Sequence, residues 1–294
     1  MRIVIAGASG LIGTELARQL TARGDELVRL VRRAATAPGE VRWEPASGLL
    51  DPSAFEGADA VVNLAGSSIG RLPWTRARKA VMLSSRIDAT GTIVRSLGEV
   101  HVPTLINGSA VGFYGSRPGE RLTEFSSAGG GFLADVVRRW EAAALAAPRP
   151  TRVVLARTGV VIGDGGAIKP LALLAKLGAA GPLGTGRQHW PWISLRDEAS
   201  ALIHLIDHRE LDGPVNLAGP APATASDLIR AVARAAHRPY GLPAPGPLLT
   251  LALGDAAREL LLADQLEVPQ KLLESGFTFR DQTVADAVAR LQMS

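Results

Sequence analysis

Three glycines stand where a phosphate could be held: Gly7, Gly10 and Gly13, in Gly7-Ala8-Ser9-Gly10-Leu11-Ile12-Gly13, directly after the apolar run Ile3-Val4-Ile5-Ala6. Glycine at such steps permits a tight turn, close approach of a pyrophosphate to backbone amides, and close packing of a helix on a strand. A helix beginning at Leu11 would turn unpaired N–H groups and the positive end of its dipole toward the phosphates. The spacing is G-x-x-G-x-x-G, one residue longer at its first step than the general dinucleotide fingerprint. A strand before the loop and a helix after it favour dinucleotide binding over a plain tight turn. The expected contacts are Gly7, Ser9, Gly10, Leu11, Ile12 and Gly13.

The next strand selects between cofactors. An acidic residue about 20 positions beyond the fingerprint would accept from a ribose 2′-OH and mark NAD(H). Arg32 and Arg33 stand there instead. A guanidinium suits a 2′-phosphate through paired hydrogen bonds and can stack on adenine. NADP(H) is therefore the expected cofactor, ahead of NAD(H), with Arg32 and Arg33 as its readers; the plainer alternative is a solvated strand end. Leu64, Ala65 and Gly66, in Asn63-Leu64-Ala65-Gly66, form a further candidate contact, small enough for close backbone approach or for a simple turn. His189-Trp190-Pro191-Trp192 is unusual in a chain with 4% aromatic residues. It suits the lining of a substrate pocket, with His189 titrating near neutrality, or a seal between domains.

These residues need a scaffold, and the apolar patterning supplies one. Strand-like runs at 3–6, 27–31, 60–65, 104–107 and 152–157 alternate with helical patterns at 11–21, 74–97 and 132–146. Such alternation predicts a parallel sheet covered on both faces, with ligands at the carboxyl ends of its strands. Asp197 is expected to cap a helix over 197–206, and 215–217 to rejoin the sheet. The fold class is α/β: a Rossmann-type, doubly wound parallel sheet with a smaller, discontinuous C-terminal substrate domain. Residues 1–165 form the dinucleotide-binding domain, to which 189–218 returns; 166–188 and 219–294 form the small domain.

Composition narrows the classes of function. The 294 residues are 47% hydrophobic and 20% charged, a soluble globular balance, and the absence of cysteine excludes disulfides and thiolate chemistry. Basic residues number 32 against 28 acidic ones without a sustained basic run, which argues against nucleic acid as a partner. The apolar stretch 248–266 is interrupted by Asp255, Arg258, Glu259 and Asp264, as in a helix on a core and unlike a membrane span. The opening Ile3-Val4-Ile5-Ala6 reads as a strand and lacks the basic region, long apolar run and cleavage site of a leader, and a cytoplasmic address is expected. His204 and His208 are four apart but lack a third ligand, so no metal is expected. Oligomeric state is not written in these patterns.

Taken together, the motifs resemble the extended short-chain dehydrogenase/reductases. The resemblance is carried by the glycine loop, Asn63-Leu64-Ala65-Gly66, Gly108-Ser109-Ala110-Val111-Gly112-Phe113-Tyr114-Gly115 and Arg157-Thr158-Gly159-Val160-Val161-Ile162-Gly163. More narrowly, the chain resembles the atypical epimerase family proteins with their own C-terminal domain of unknown function. Pro214-Val215-Asn216-Leu217, His237-Arg238-Pro239, Pro269-Gln270-Lys271-Leu272 and Gly276-Phe277-Thr278-Phe279 are similar to that part. The resemblance implies a Rossmann domain with a smaller C-terminal domain, and places the Ser109 hydroxyl beside both nicotinamide and substrate.

One part of the pattern is missing. The wider group uses a Tyr-x-x-x-Lys pair, in which lysine lowers the tyrosine pKa for proton exchange. Tyr114 is followed four places on by Pro118, and Tyr240 by Ala244; the helix that should carry the pair reads Phe132-Leu133-Ala134-Asp135-Val136-Val137. Its Phe132, Val136 and Trp140 read as core packing. Ser109, Tyr114 and His189 remain as candidates for acid/base work, with turn capping by Ser109 and packing of Tyr114 as the bland alternatives. Glu124 reads as a solvated loop carboxylate. The expected activity is that of an NADP(H)-dependent oxidoreductase or epimerase-like enzyme on a small-molecule carbonyl or secondary alcohol. The alternative is a non-catalytic NADP(H)-binding sensor or interaction protein.

Overall fold

Ile3, Val4, Ile5 and Ala6 are all fully buried, and an unbroken apolar run of this length fits a strand covered on both faces. In the computed structural model, which describes residues 1–291, that run is β1 (Arg2–Ala6). Helix α1 (Leu11–Arg23), β2 (Glu26–Val31), β3 (Glu40–Glu44), β4 (Leu49–Leu50) and β5 (Ala60–Asn63) follow. Next come α2 (Arg76–Ser96), β6 (Thr104–Ala110), β7 (Arg121–Leu122), α3 (Phe132–Leu145) and β8 (Arg152–Thr158). The chain continues with β9 (Val160–Ile162), α4 (Ile168–Lys176), β10 (Trp192–Ser194), α5 (Leu195–Asp207) and β11 (Gly213–Leu217). It ends with α6 (Ala225–Ala235), α7 (Gly246–Leu253), β12 (Leu266–Glu267), α8 (Gln270–Glu274) and α9 (Val284–Ala289).

Eight strands form one sheet in the order β11-β8-β6-β5-β1-β2-β3-β4. Its pairings are parallel except for β3 with β4. The order turns back at β1, with β2 on one side and β5 on the other, which opens a crevice at their carboxyl ends. Side chains alternate along β1: Ile3 and Ile5 pack with Leu16, Leu20, Leu202 and Leu205 of α1 and α5. Val4 and Ala6 pack with Ala89 and Ile93 of α2 on the opposite face. This is the doubly wound, Rossmann-type arrangement. The strand β3 escapes a periodicity search because its Glu-Val-Arg-Trp-Glu sequence buries only Trp43 deeply.

A second core gathers Ile168, Leu171 and Ala175 of α4, Leu228, Ile229 and Val232 of α6, and Val284 and Val288 of α9, around Trp190 and Trp192. Capping boxes start α6 at Thr224 with Asp227 and α9 at Thr283 with Asp286. Leu272 and Phe279, from the segment expected in the small domain, sit in the first core. Asp197 does not cap α5 as expected. Ser194 does, its Oγ accepting from the Asp197 amide at 3.2 Å. The Asp197 carboxylate instead accepts from the amides of Arg280 (3.0 Å) and Asp281 (3.1 Å), tying the C-terminal segment to α5. Among the described residues no helix is long and apolar enough to cross a membrane.

Candidate cofactor cleft and active site

The glycine loop lies in the crevice, and its glycines are there for steric reasons. Gly7 has φ of 85°, and a Cβ on it would lie 2.8 Å from the carbonyl of Leu64 at the end of β5. A Cβ on Gly13 would collide with the carbonyl oxygen of Gly7. The loop closes through the Gly10 amide, which donates to Gly7 O at 3.0 Å. Gly10 is the N-cap of α1 and no side chain caps that end. The amides of Leu11, Ile12 and Gly13 are thus left to a ligand or to water. Ser9 is exposed at the tip of the loop.

The structure separates the two arginines at the end of β2. Arg33 donates through Nη1 and Nη2 to Glu40 (2.8 and 2.5 Å), and Nη1 also reaches Ala34 O and Thr36 Oγ1. That contact, with the Thr36 amide, holds the Glu40 carboxyl at about 2. Arg32 is exposed and makes no such pair among the described residues.

Asn63 fixes the segment that follows β5. Its Nδ2 donates to Asn107 Oδ1 (2.7 Å) and Thr90 Oγ1 (2.9 Å), while its Oδ1 accepts from the Ala65 amide (3.2 Å). Trp140 Nε1 completes this buried group by donating to Thr90 Oγ1 at 3.0 Å. A Cβ on Gly66 would lie 3.2 Å from the guanidinium carbon of Arg86.

Ser109, Tyr114 and three residues that sequence patterning did not single out form one hydrogen-bonded chain. Ser109 Oγ donates to Glu141 Oε1 at 2.6 Å. Arg157 clamps that carboxylate, Nε to Oε1 at 2.8 Å and Nη2 to Oε2 at 2.9 Å. Its Nη1 donates to the Tyr114 hydroxyl at 2.9 Å, and Tyr114 donates to Asn216 Oδ1 at 2.6 Å. The guanidinium also lies 3.5 Å from the Phe113 ring centroid, a cation–π contact. Tyr114 is fully buried; burial first, then the charge of Glu267, pushes its hydroxyl well above the ordinary range.

Glu124 corrects the solvated-loop expectation: it is 4% exposed, and its Oε1 accepts from the amides of Asn216 and Lys271, both at 3.1 Å. Two signals in the sequence pointed at this network. Glu141 interrupts the apolar face of α3, and Arg157 follows the buried run Val154-Leu155-Ala156; a charge in such a place requires a partner. Leu133, Val136 and Val137, where the usual Tyr-Lys pair would fall, are buried.

His189 is not part of this chain. Its amide and Nδ1 both contact Asp264 Oδ1 at 2.9 Å, its carbonyl accepts from the Gln265 amide, and Trp190 and Trp192 beside it belong to the second core. Gln265 then donates to the carbonyls of Val111 and Gly115, so the aromatic cluster rests against the loop after β6 as a seam. Two more carboxylates lie inside. Glu198 accepts from Thr158 Oγ1 at 2.8 Å and burial pushes it up to about 8. Burial, then the neighbouring Glu124, pushes Glu267 up as well. A groove of about 620 Å³ beside α6 and α9 shares no residue with the glycine loop or with Ser109. Among the described residues no cluster of acids and histidines could hold a metal ion.

Comparison with known proteins agrees with this architecture along the chain. The model of the NAD dependent epimerase/dehydratase family matches residues 3–218, and a domain of unknown function, DUF1731, matches 244–291. Epimerase family protein Mb2239 of Mycobacterium bovis is 42% identical over 288 residues, covering 97% of this chain and 96% of that protein. The crystal structure of human epimerase family protein SDR39U1 with NADPH superimposes with a TM-score of 0.89 at 30% identity, covering 98% of each chain. MoeE5, in complex with UDP-glucuronic acid and NAD, shares the fold at a TM-score of 0.78 and 20% identity over 99% of this chain and 97% of its own. The chain belongs to the NAD dependent epimerase/dehydratase family, among the epimerase family proteins that carry the DUF1731 domain.

Proposed function

We propose that this chain is an NADP(H)-dependent oxidoreductase or epimerase-like enzyme acting on a small molecule with a carbonyl or secondary alcohol. The observation that carries it is the tight loop between Gly7 and Gly13, where a Cβ on Gly7 or Gly13 would strike neighbouring backbone, set before the uncapped start of α1. The residues fit a pyrophosphate on those amides and a 2′-phosphate on Arg32, whose guanidinium no carboxylate among the described residues holds. The NADPH bound to the human relative supports the same choice of cofactor. When bound, the cofactor supplies a hydride donor or acceptor.

In this reading Ser109, near the carboxyl end of β6, meets the substrate oxygen. Its proton points to Glu141, so its remaining lone pairs accept from a substrate hydroxyl. In the oxidising direction the hydroxyl proton moves to Ser109 Oγ as the serine proton moves to Glu141, a carboxylate that Arg157 holds in place. Tyr114, sealed and with its pKa raised, supports Arg157 and takes no part in proton transfer. His189 braces the seam through Asp264.

A calorimetric titration of NADPH and NADH tests the cofactor, repeated on Arg32→Ala, followed by a screen of carbonyl substrates with NADPH. Tight NADPH, weaker NADH and loss of that preference in the variant are expected, with turnover that collapses in Ser109→Ala. Absence of binding by either nucleotide would end the reading. A second reading, a sensor that binds NADP(H) without turnover, is favoured by the apolar burial of Leu133 and Val137. Stereospecific transfer of label from nicotinamide C4 into any metabolite would exclude it.

A further inference from the structure

Two arginines of α2 lie against the segment that leaves β5. Arg86 spends Nη1 on the carbonyl oxygens of Met82 (2.9 Å) and Ser67 (3.1 Å), and its guanidinium lies 5.0 Å from the Trp140 ring centroid. Arg78 donates through Nη2 to the carbonyl of Ser68. Among the described residues no carboxylate pairs with either guanidinium. Nε of Arg78 is buried without a partner, and among the described residues Arg86 donates through Nη1 alone. Burial, then the charge of Arg78, pushes Arg86 down to about 10. Two like charges held together in a half-buried site raise the free energy unless an anion joins them.

The place of this pair distinguishes it from the pyrophosphate cradle. The guanidinium of Arg86 packs under Gly66 at the end of β5, and the Trp140 ring beside it packs against Gly108, where a Cβ would lie 3.0 Å from the indole. Ser109 is the next residue. Stapling the loop occupies Nη1 of Arg86, whose Nε and Nη2 keep the side-on edge that carboxylate and phosphate groups match, while Arg78, with Nη2 spent and Nε buried, adds its charge. We propose that Arg78 and Arg86 form a subsite for an anionic group of the substrate, a phosphate or a carboxylate. This rests on the function proposed above and narrows its substrates to small anionic alcohols or carbonyls.

The test is calorimetric titration of the NADPH-saturated protein with inorganic phosphate and, separately, with malonate, comparing wild type with Arg86→Gln. At least one of the two anions is expected to bind wild type and to bind the variant about tenfold more weakly, the loss of one charge-assisted pair, with NADPH affinity changed less than about twofold. Whichever arm responds identifies the group. No anion binding by wild type, or equal binding by both proteins, would overturn the subsite. A fall in NADPH affinity alongside would overturn it too, by giving the arginine to the cofactor. Should Arg86→Gln fail to fold, Arg78→Gln keeps the contact of Arg86 with Ser67 and is read the same way. Failure of NADPH to bind would end the cofactor reading alone, and Arg86-dependent phosphate binding to the protein by itself would then decide this one.

Discussion

Ser109 donates to Glu141 across 2.6 Å, joining the end of β6 to α3. The same carboxylate takes two bonds from Arg157, the residue paired with Ser109 in the parallel register of β6 and β8. The buried Ser109 hydroxyl near the carboxyl end of β6 is thereby fixed in orientation by a buried ion pair. Glu141→Gln should destabilise the protein by about 3–5 kcal/mol, because it leaves the Arg157 cation buried without its counter-charge. Ser109→Ala should cost only about 1–3 kcal/mol. Urea unfolding of both single variants and the double variant checks this, and strict additivity would refute the coupling.

Gly13→Ala should abolish the cradle. Its Cβ would run into the carbonyl oxygen of Gly7, so α1 must move away from β1. NADPH affinity should fall by about a hundredfold or more, a shift of about 3 kcal/mol or more. Gly24→Ala serves as a control, since its added Cβ meets nothing within 4 Å although φ there is 89°. It should lower stability without changing NADPH affinity, measured by the same titration.

Tyr114→Phe should act on stability and leave the pH dependence of turnover unchanged. The change strips Asn216 Oδ1 and Arg157 Nη1 of a partner inside the protein, at a cost of about 1–3 kcal/mol. A pH–rate profile that loses one limb in the variant would restore Tyr114 to acid/base chemistry.

Glu198 predicts how stability depends on pH. Its folded pKa of about 8 lies above the ordinary 4.5, so between those values the folded chain keeps a proton that the unfolded chain releases. Its contribution is most favourable below 4.5 and is lost as pH rises through about 8. Glu267 acts in the same direction. Glu198→Gln mimics the protonated acid and should flatten the fall of Tm across this window, which thermal melts in a buffer series measure. An unchanged slope would place the proton elsewhere.

Glu259 should prove to be a cap supplied from a distance. Its two oxygens accept from the amides of Phe132 (2.9 Å) and Leu133 (2.7 Å), the first turn of α3. Glu259→Ala should therefore cost about 1 kcal/mol, and Glu259→Gln less, by urea unfolding.

The sequence alone determined whatever depends on neighbours along the chain. The glycine loop, its strand and its helix lie within a short run, so spacing sufficed to place them, and counting onward reached Arg32. Absence of the Tyr-Lys pair could be read the same way. What only the tertiary structure decided was who answers whom. Ser109 and Glu141 are 32 positions apart, Arg157 and Tyr114 43, and Tyr114 and Asn216 102. Their contacts follow from strand order and register, which the pattern of buried side chains fixes only when the whole sheet assembles. For the same reason Arg33 could not be told from Arg32 until Glu40 came alongside in β3, and Glu124 read as a surface carboxylate until the amides of Asn216 and Lys271 closed around it. A side chain's type is local, but its charge state, burial and partner belong to the fold.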